Sequence, residues 1–459
     1  MRTDVRRGTY LVSYRVISAD SHPVGGGITF SVGAPSAAPT ATDNAARTDR
    51  LVAILIAAAH YIGYAGLVLL VGPVVALSAL WPRRLPRRGP VRLVFVGIGL
   101  IVVGTAAELF LEAPYTAGVG LFGASADDLR TAFASTYGAA HLVRLAAISA
   151  VAVLLRPFLG GGPKPPGTAD RALIAVLAVV GLATWPMSGH AGASSLPEVT
   201  AIADVAHLGA MSLWLGGLVV LVGFLLGRAN RKELAAILPV WSNWATTAVG
   251  VLVVAGTVQA LVEIGTFGAL FGTTYGRLVL VKVGLLAVVL GAAFVARRVA
   301  RDPARAKAAV RPLRRSVVVE LVITAVVLAM SATLVQTTPA RTARTVADRQ
   351  TPSLYSATLA SSLYSVQVDV DPARVGSNSI HLYAYTPEGA PLKVVEWTAT
   401  ASLPSQGIDK LVVPLLALTD NHATGELQLP TAGTWEVQLT LRLSDIDEAS
   451  VTATVPVRN

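Results

Sequence analysis

Eight apolar runs long enough to cross a bilayer dominate the chain, near 51–80, 91–111, 132–155, 171–186, 202–226, 239–262, 277–296 and 316–335. About 20 such residues in a helix span the hydrocarbon core. Because lipid offers no partner to a backbone N–H or C=O, each run has to satisfy its own polar groups, and so folds as a helix. Composition agrees. Of 459 residues, 53% are hydrophobic and 14% charged, where a soluble protein carries about 25% charged. The reading is a polytopic membrane domain of eight transmembrane helices over 51–335, the fourth being the shortest.

The charged residues fall between the runs, and unevenly. Arginine and lysine collect in 81–90 (WPRRLPRRGP), 156–171, 227–233 and 297–315, whereas 112–130 and 187–201 are Gly-rich and acidic. By the positive-inside rule the basic links are cytoplasmic, which puts both termini outside the cell membrane. The net charge of +10 is thus a topology signal, and no nucleic-acid partner is expected. Residues 1–50 show no basic segment followed by an apolar stretch, so a cleavable leader is not expected there.

Beyond 336 the pattern changes to short alternating runs separated by Pro, Gly, Asn and Asp: SVQVDV, SIHLYAY, KVVEWTAT, LVVPLLAL, GELQLP, WEVQLTLRL and SVTATVPV. Seven strands at this spacing predict an extracytoplasmic, all-β, immunoglobulin-like sandwich over 353–459, reached through a linker at 336–352. The start of the chain parallels the end of that domain, GTYLVSYRV at 8–16 against GTWEVQLTL at 433–441. Residues 1–34 therefore read as the last hairpin of a β-domain, with 35–50 as linker.

The membrane region repeats itself. STYGAAHLVRLAAISAVAVLLR matches TTYGRLVLVKVGLLAVVLGAAFVARR, and places Arg144 and Lys282 at the same distance after the glycine of TYG. GLIVVGTAAELFLE likewise matches GVLVVAGTVQALVE, pairing Glu112 with Glu263, and His60 and His207 each follow an alanine in the first helix of a half. Helices 1–4 and 5–8 are two tandem copies of a four-helix unit. Four being even, both copies face the same way.

With no cysteine in the chain, soft-metal chemistry falls to His, Met and carboxylates. His60, His141, His190 and His207 lie in or beside the helices, toward the outer side, where they would line a polar vestibule. In ADVAHLGAMSLWLGGL, Asp204, His207 and Met211 share one helical face, and MSGH adds Met187 and His190. Imidazole with thioether suits copper, methionine favouring the cuprous form. Asp204 either binds metal or orients the His207 ring. The plain alternatives are histidines that bond a nearby carbonyl and a methionine that fills core. The cations Arg144 and Lys282 need partners in lipid, and Glu108, Glu112 and Glu263 can supply them, as packing ion pairs or as part of a transport path. Gly216 and Gly217 permit close helix approach.

These residues resemble the bacterial copper-resistance proteins CopC and CopD fused in one polypeptide. The CopD resemblance rests on GHA, DVAHLGAMSLWLGGL and TYGRLVLVK; the CopC resemblance rests on GTYLVSYRVISADSHPVGGGITFSV. It implies that Asp20 and His22, the D-x-H step, are Cu(II) ligands. Without a further ligand from His190, His381, His422 or the α-amino group of Met1, that pair would bind weakly. The expected function is translocation of copper, as Cu(I) or Cu(II), from an outward-facing site. No enzymatic activity is expected, and no P-loop or aspartyl-phosphate motif is present. Expected partners are copper ions, the lipid bilayer and an extracytoplasmic copper chaperone or cuproenzyme. Two rival readings remain: a haem-binding electron carrier using transmembrane histidines, and a membrane-anchored interaction or copper-delivery protein.

Overall fold

The structure, a computed structural model, describes residues 8–17, 23–32, 49–159, 167–189, 194–300, 310–342 and 355–457. Helix α1 (Arg50–Ala79) begins where Asp49 Oδ1 accepts from the N–H groups of Leu51 at 2.9 Å and Val52 at 3.0 Å, satisfying two donors that a helix start leaves open. Next come α2 (Arg88–Ala117), the short α3 (Ala126–Ala134), α4 (Thr136–Leu159) and α5 (Thr168–Met187). The second half follows the same plan. In it, α6 (Pro197–Val220) continues through a π-helical turn at Leu221–Leu225 into α7 (Leu226–Arg228), and α8 (Arg231–Ile264), the short α9 (Phe267–Gly272), α10 (Thr274–Ala300) and α11 (Val310–Leu334) complete it. Each of the eight apolar runs is a helix long and apolar enough to cross a membrane.

The two halves also share a local device. Before α4, Ser135 Oγ donates to Ala132 O at 2.7 Å and accepts from the Gly138 N–H at 3.1 Å. Before α10, Thr273 Oγ1 donates to Ala269 O at 2.7 Å and accepts from the Gly276 N–H at 3.0 Å. One hydroxyl thus joins the short helix to the span after it, at equivalent places in the tandem repeat.

The first helices of the halves, α1 and α6, cross backbone to backbone at Gly72 and Gly216, where a Cβ on either would collide with the other's main chain. Gly217 faces the Trp241 ring instead. Around this crossing Val68, Trp214, Leu218 and Trp241 form a buried cluster. At one end of the bundle, Arg84 reaches from the α1–α2 link to Glu233 at 2.7 Å and to Arg228 O at 2.8 Å, so two of the basic links lie together. Part of the expected linker is packed down: Ala340 is fully buried in a cluster with Ala269 and Tyr275.

Strands β1 (Gly8–Ile17) and β2 (Pro23–Val32) pair as a hairpin, as the sequence implies. The C-terminal domain has nine strands rather than seven: β3 (Tyr355–Ala360), β4 (Ser365–Asp371), β5 (Gly376–Tyr385), β6 (Glu396–Leu403), β7 (Ile408–Val413), β8 (Leu415–Thr419), β9 (His422–Leu429), β10 (Gly433–Arg442) and β11 (Glu448–Val457). They form two antiparallel sheets, ordered β3-β4-β5-β9-β8 and β11-β10-β6-β7. The run LVVPLLAL is not one strand. Pro414 has no N–H to give a ladder, and at it the chain leaves the four-stranded sheet for the five-stranded one. Trp435, Leu382 and Leu439 sit at the centre of the shared core.

Candidate metal site between the two halves

A cavity of about 140 Å³ lies where the halves meet, walled by His60 and Tyr64 of α1, Trp185 of α5, Asp204, His207 and Met211 of α6, Gln259 and Glu263 of α8, and Tyr275 and Lys282 of α10. His60 stands ten positions after the first residue of its helix, Arg50, and His207 ten after Pro197. At 1.5 Å per residue each of these residues lies about 15 Å along its helix from the helix's first residue.

Hydrogen bonding fixes the state of the first ring. His60 Nδ1 lies 3.1 Å from Ile56 O and 3.5 Å from Glu108 Oε1. A carbonyl only accepts, so Nδ1 carries a proton and leaves Nε2 as the nitrogen a neutral ring would offer to the cavity it lines. On the other wall, His207 Nδ1 is buried with no hydrogen-bond partner among the described residues. An orphaned imidazole nitrogen costs stability unless something occupies it. Met211 offers a thioether one turn further along α6. Asp204 accepts from the Gln259 side-chain amide and supplies the attractive field on Lys282. The carboxylate is thereby held in place on the face it shares with His207 and Met211.

Behind His60 lies a buried charge cluster within the first half. Glu108 Oε2 accepts from Arg144 Nη1 at 3.0 Å and contacts His141 Nε2 at 2.8 Å. His141 Nδ1 is 2.8 Å from Tyr137 O. Both nitrogens of that ring face oxygen, so the Glu108–His141 contact holds a proton, on ring or carboxyl. Arg144 spends three further donors on Thr184 Oγ1 at 2.9 Å, Thr184 O at 3.2 Å and Ser188 Oγ at 3.1 Å, and lies 3.8 Å over the Trp185 ring.

The residues singled out in the sequence therefore separate. His60, Asp204, His207, Met211, Glu263 and Lys282 meet at the cavity; Glu108, His141 and Arg144 form the cluster behind it, with Glu112 buried one turn further along α2. His141 does not line the cavity, since its ring is wholly buried against Glu108 and Tyr137. Met187 is 56% exposed and also stays off the cavity wall. Glu263 pairs with Arg341 at 3.3 Å. Asp20, His22 and His190 lie outside the described residues. Among the described residues no three His, Cys, Asp or Glu side chains converge as a ready-made chelate. Sequence reasoning passed over Gln259, Tyr275, Thr184 and Arg341. Gln259 stands four residues before Glu263 as Glu108 does before Glu112, and Tyr275 is the tyrosine of the repeated TYG; Arg341 had no signal, being outside every apolar run.

Comparison with known proteins bears on this arrangement. Residues 235–334 match the family model of copper resistance protein D, CopD, and residues 1–33 match the CopC domain. The chain thus matches the CopC model at its start and the CopD model in its membrane region. The CopD match covers the walls bearing Gln259, Glu263, Tyr275 and Lys282, while Asp204, His207 and Met211 lie just before it. A relative, the copper transport protein CutJ of Bacillus subtilis (strain 168), is 28% identical over 312 residues, covering 64% of this chain and 55% of that protein. The match thus spans about half the length of that relative. A crystal structure of a DUF4785 family protein from Legionella pneumophila resembles 21% of this chain and 29% of its own, at 13% identity and a TM-score of 0.19. That score supports no shared fold.

Proposed function

We propose that this copper-handling membrane protein carries copper across the cell membrane through the cavity between its halves, taking it from the outer face, with His60, His207 and Met211 as ligands. One observation carries the reading: the first helices of two tandem units each bring a histidine ten positions from the helix start, one with a nitrogen unpartnered among the described residues, and a thioether to one cavity. Imidazole and thioether favour copper, and the thioether favours Cu(I). Asp204 and Glu263 offset the charge of the ion, while Lys282 limits how many cations the cavity holds. No bond of the cargo is made or broken, so the protein acts as a carrier and not an enzyme. An extracytoplasmic chaperone or cuproenzyme is the natural donor or acceptor. The volume weighs against the haem reading, since pockets for ligands of even drug size hold about 300–1,000 Å³.

The test is copper content of the purified full-length protein and copper accumulation by cells expressing it. His207→Ala is expected to abolish both gains over background, Met211→Leu to reduce them, and Met187→Leu to leave them unchanged. Full copper loading and accumulation in His207→Ala and in His60→Ala would refute the assignment.

A further inference from the structure

We propose that the C-terminal sandwich carries a second, solvent-facing Cu(II) site whose ligands are His381 and His422. The two residues stand on adjacent strands of the five-stranded sheet, where His381 is registered with Thr424 and Tyr383 with His422, making the histidines diagonal neighbours. Alternation puts both on the outer face, as Ile380, Leu382 and Ala423 beside them fill the core. Their rings lie 5.5 Å apart between centroids, and His381 Nδ1 is 3.2 Å from His422 Nε2. Two ring nitrogens this close need something between them, a proton or a metal ion. With metal–nitrogen bonds of about 2.0 Å, that separation corresponds to a ligand angle of roughly 105°. A turn of one ring within its broad terminal torsion well points both lone pairs at the ion.

The surroundings hold the pair in a ligating state. Tyr383 stacks on His422 at 4.2 Å and an interplanar angle of 14°, fixing that ring. Asp369 is registered directly opposite His381 and adds negative charge, though its oxygens already accept from Ser356 Oγ at 2.6 Å and Gln367 Nε2 at 3.1 Å. Two imidazoles with water completing the shell suit Cu(II), and with no thioether in the set Cu(I) is disfavoured. No third His, Cys, Asp or Glu is placed to complete a chelate among the described residues. The site is therefore exchangeable, suited to handing copper on and not to storing it.

Copper is named as the metal because of the family matches, whereas the ligand pair stands on its own geometry and does not depend on the inter-half cavity. The experiment titrates purified full-length protein with Cu(II) and follows it by paramagnetic resonance. The His381→Ala/His422→Ala double variant is expected to lose one Cu(II) equivalent, together with a two-nitrogen hyperfine signal that His207→Ala retains. His381→Gln, which keeps a polar side chain on the strand, is expected to weaken that equivalent by at least about tenfold. Unchanged Trp435 fluorescence would show that the sandwich stays folded. Equal stoichiometry and the same nitrogen signal in both sandwich variants would overturn the site; loss of that signal in His207→Ala would assign it to the cavity instead. If His207→Ala abolishes copper accumulation while the sandwich signal persists, the two sites are separate.

Discussion

Glu108 is the acceptor on which the buried cluster closes, with Arg144, His141 and His60 all converging on one carboxylate. Removing one member of such a buried set leaves the rest uncompensated, at a cost of about 3–5 kcal/mol. Glu108→Gln is accordingly expected to lower the thermal midpoint of the detergent-solubilised protein sharply. Adding Arg144→Met to it should recover much of that loss; a midpoint for Glu108→Gln equal to the parent would contradict the geometry. The sequence could flag these residues, because ionisable groups inside apolar runs are conspicuous. It could not pair them. Glu108, not Glu112, meets Arg144, since the partner depends on how α2 and α4 are rotated about their axes, and four residues' difference is one full turn of the same face. His141 misled for the same reason: its depth was readable but not the direction of its ring.

At the scale of elements, α1 and α6, which both wall the cavity, cross in backbone contact at Gly72 and Gly216. Gly216→Val would drive a branched side chain into the backbone at Gly72, with overpacking of this kind costing about 1–3 kcal/mol. The variant is expected to lose both thermal stability and copper loading. Gly250→Ala, where nothing lies within reach of a Cβ, is the matched control, and should be neutral or stabilise by up to about 1 kcal/mol. Equal melting of the two variants would show that the crossing does not govern the bundle. The hydroxyl joints predict that Ser135→Ala and Thr273→Ala each cost about 1 kcal/mol, read from urea or thermal unfolding. Spans and repeat were legible because lipid imposes length and apolarity on every crossing segment. The sandwich was legible in class, but its strand count was not: LVVPLLAL reads as one apolar run until Pro414 divides it between sheets.

For the whole molecule, orientation is the coarsest prediction and the easiest to check, since the chain contains no cysteine and a single introduced one reports cleanly. Arg83→Cys in the first basic link and Asp127→Cys in α3 both lie at exposed positions. A membrane-impermeant thiol reagent applied to intact cells is expected to label Asp127→Cys and to spare Arg83→Cys; the reverse pattern would invert the topology. The distribution of charge also bears on how the chain is made. Glu108, His60, His141, Arg144, Thr184 and Ser188 satisfy one another before residue 189, and Asp204 with Gln259, like Glu263 with Arg341, does so after residue 196. As the ribosome feeds spans into the bilayer, the earlier half can settle its buried charges without waiting for the later one. Only the cavity itself, which Leu328 and Ser331 of the last span help to line, has to await completion of translation.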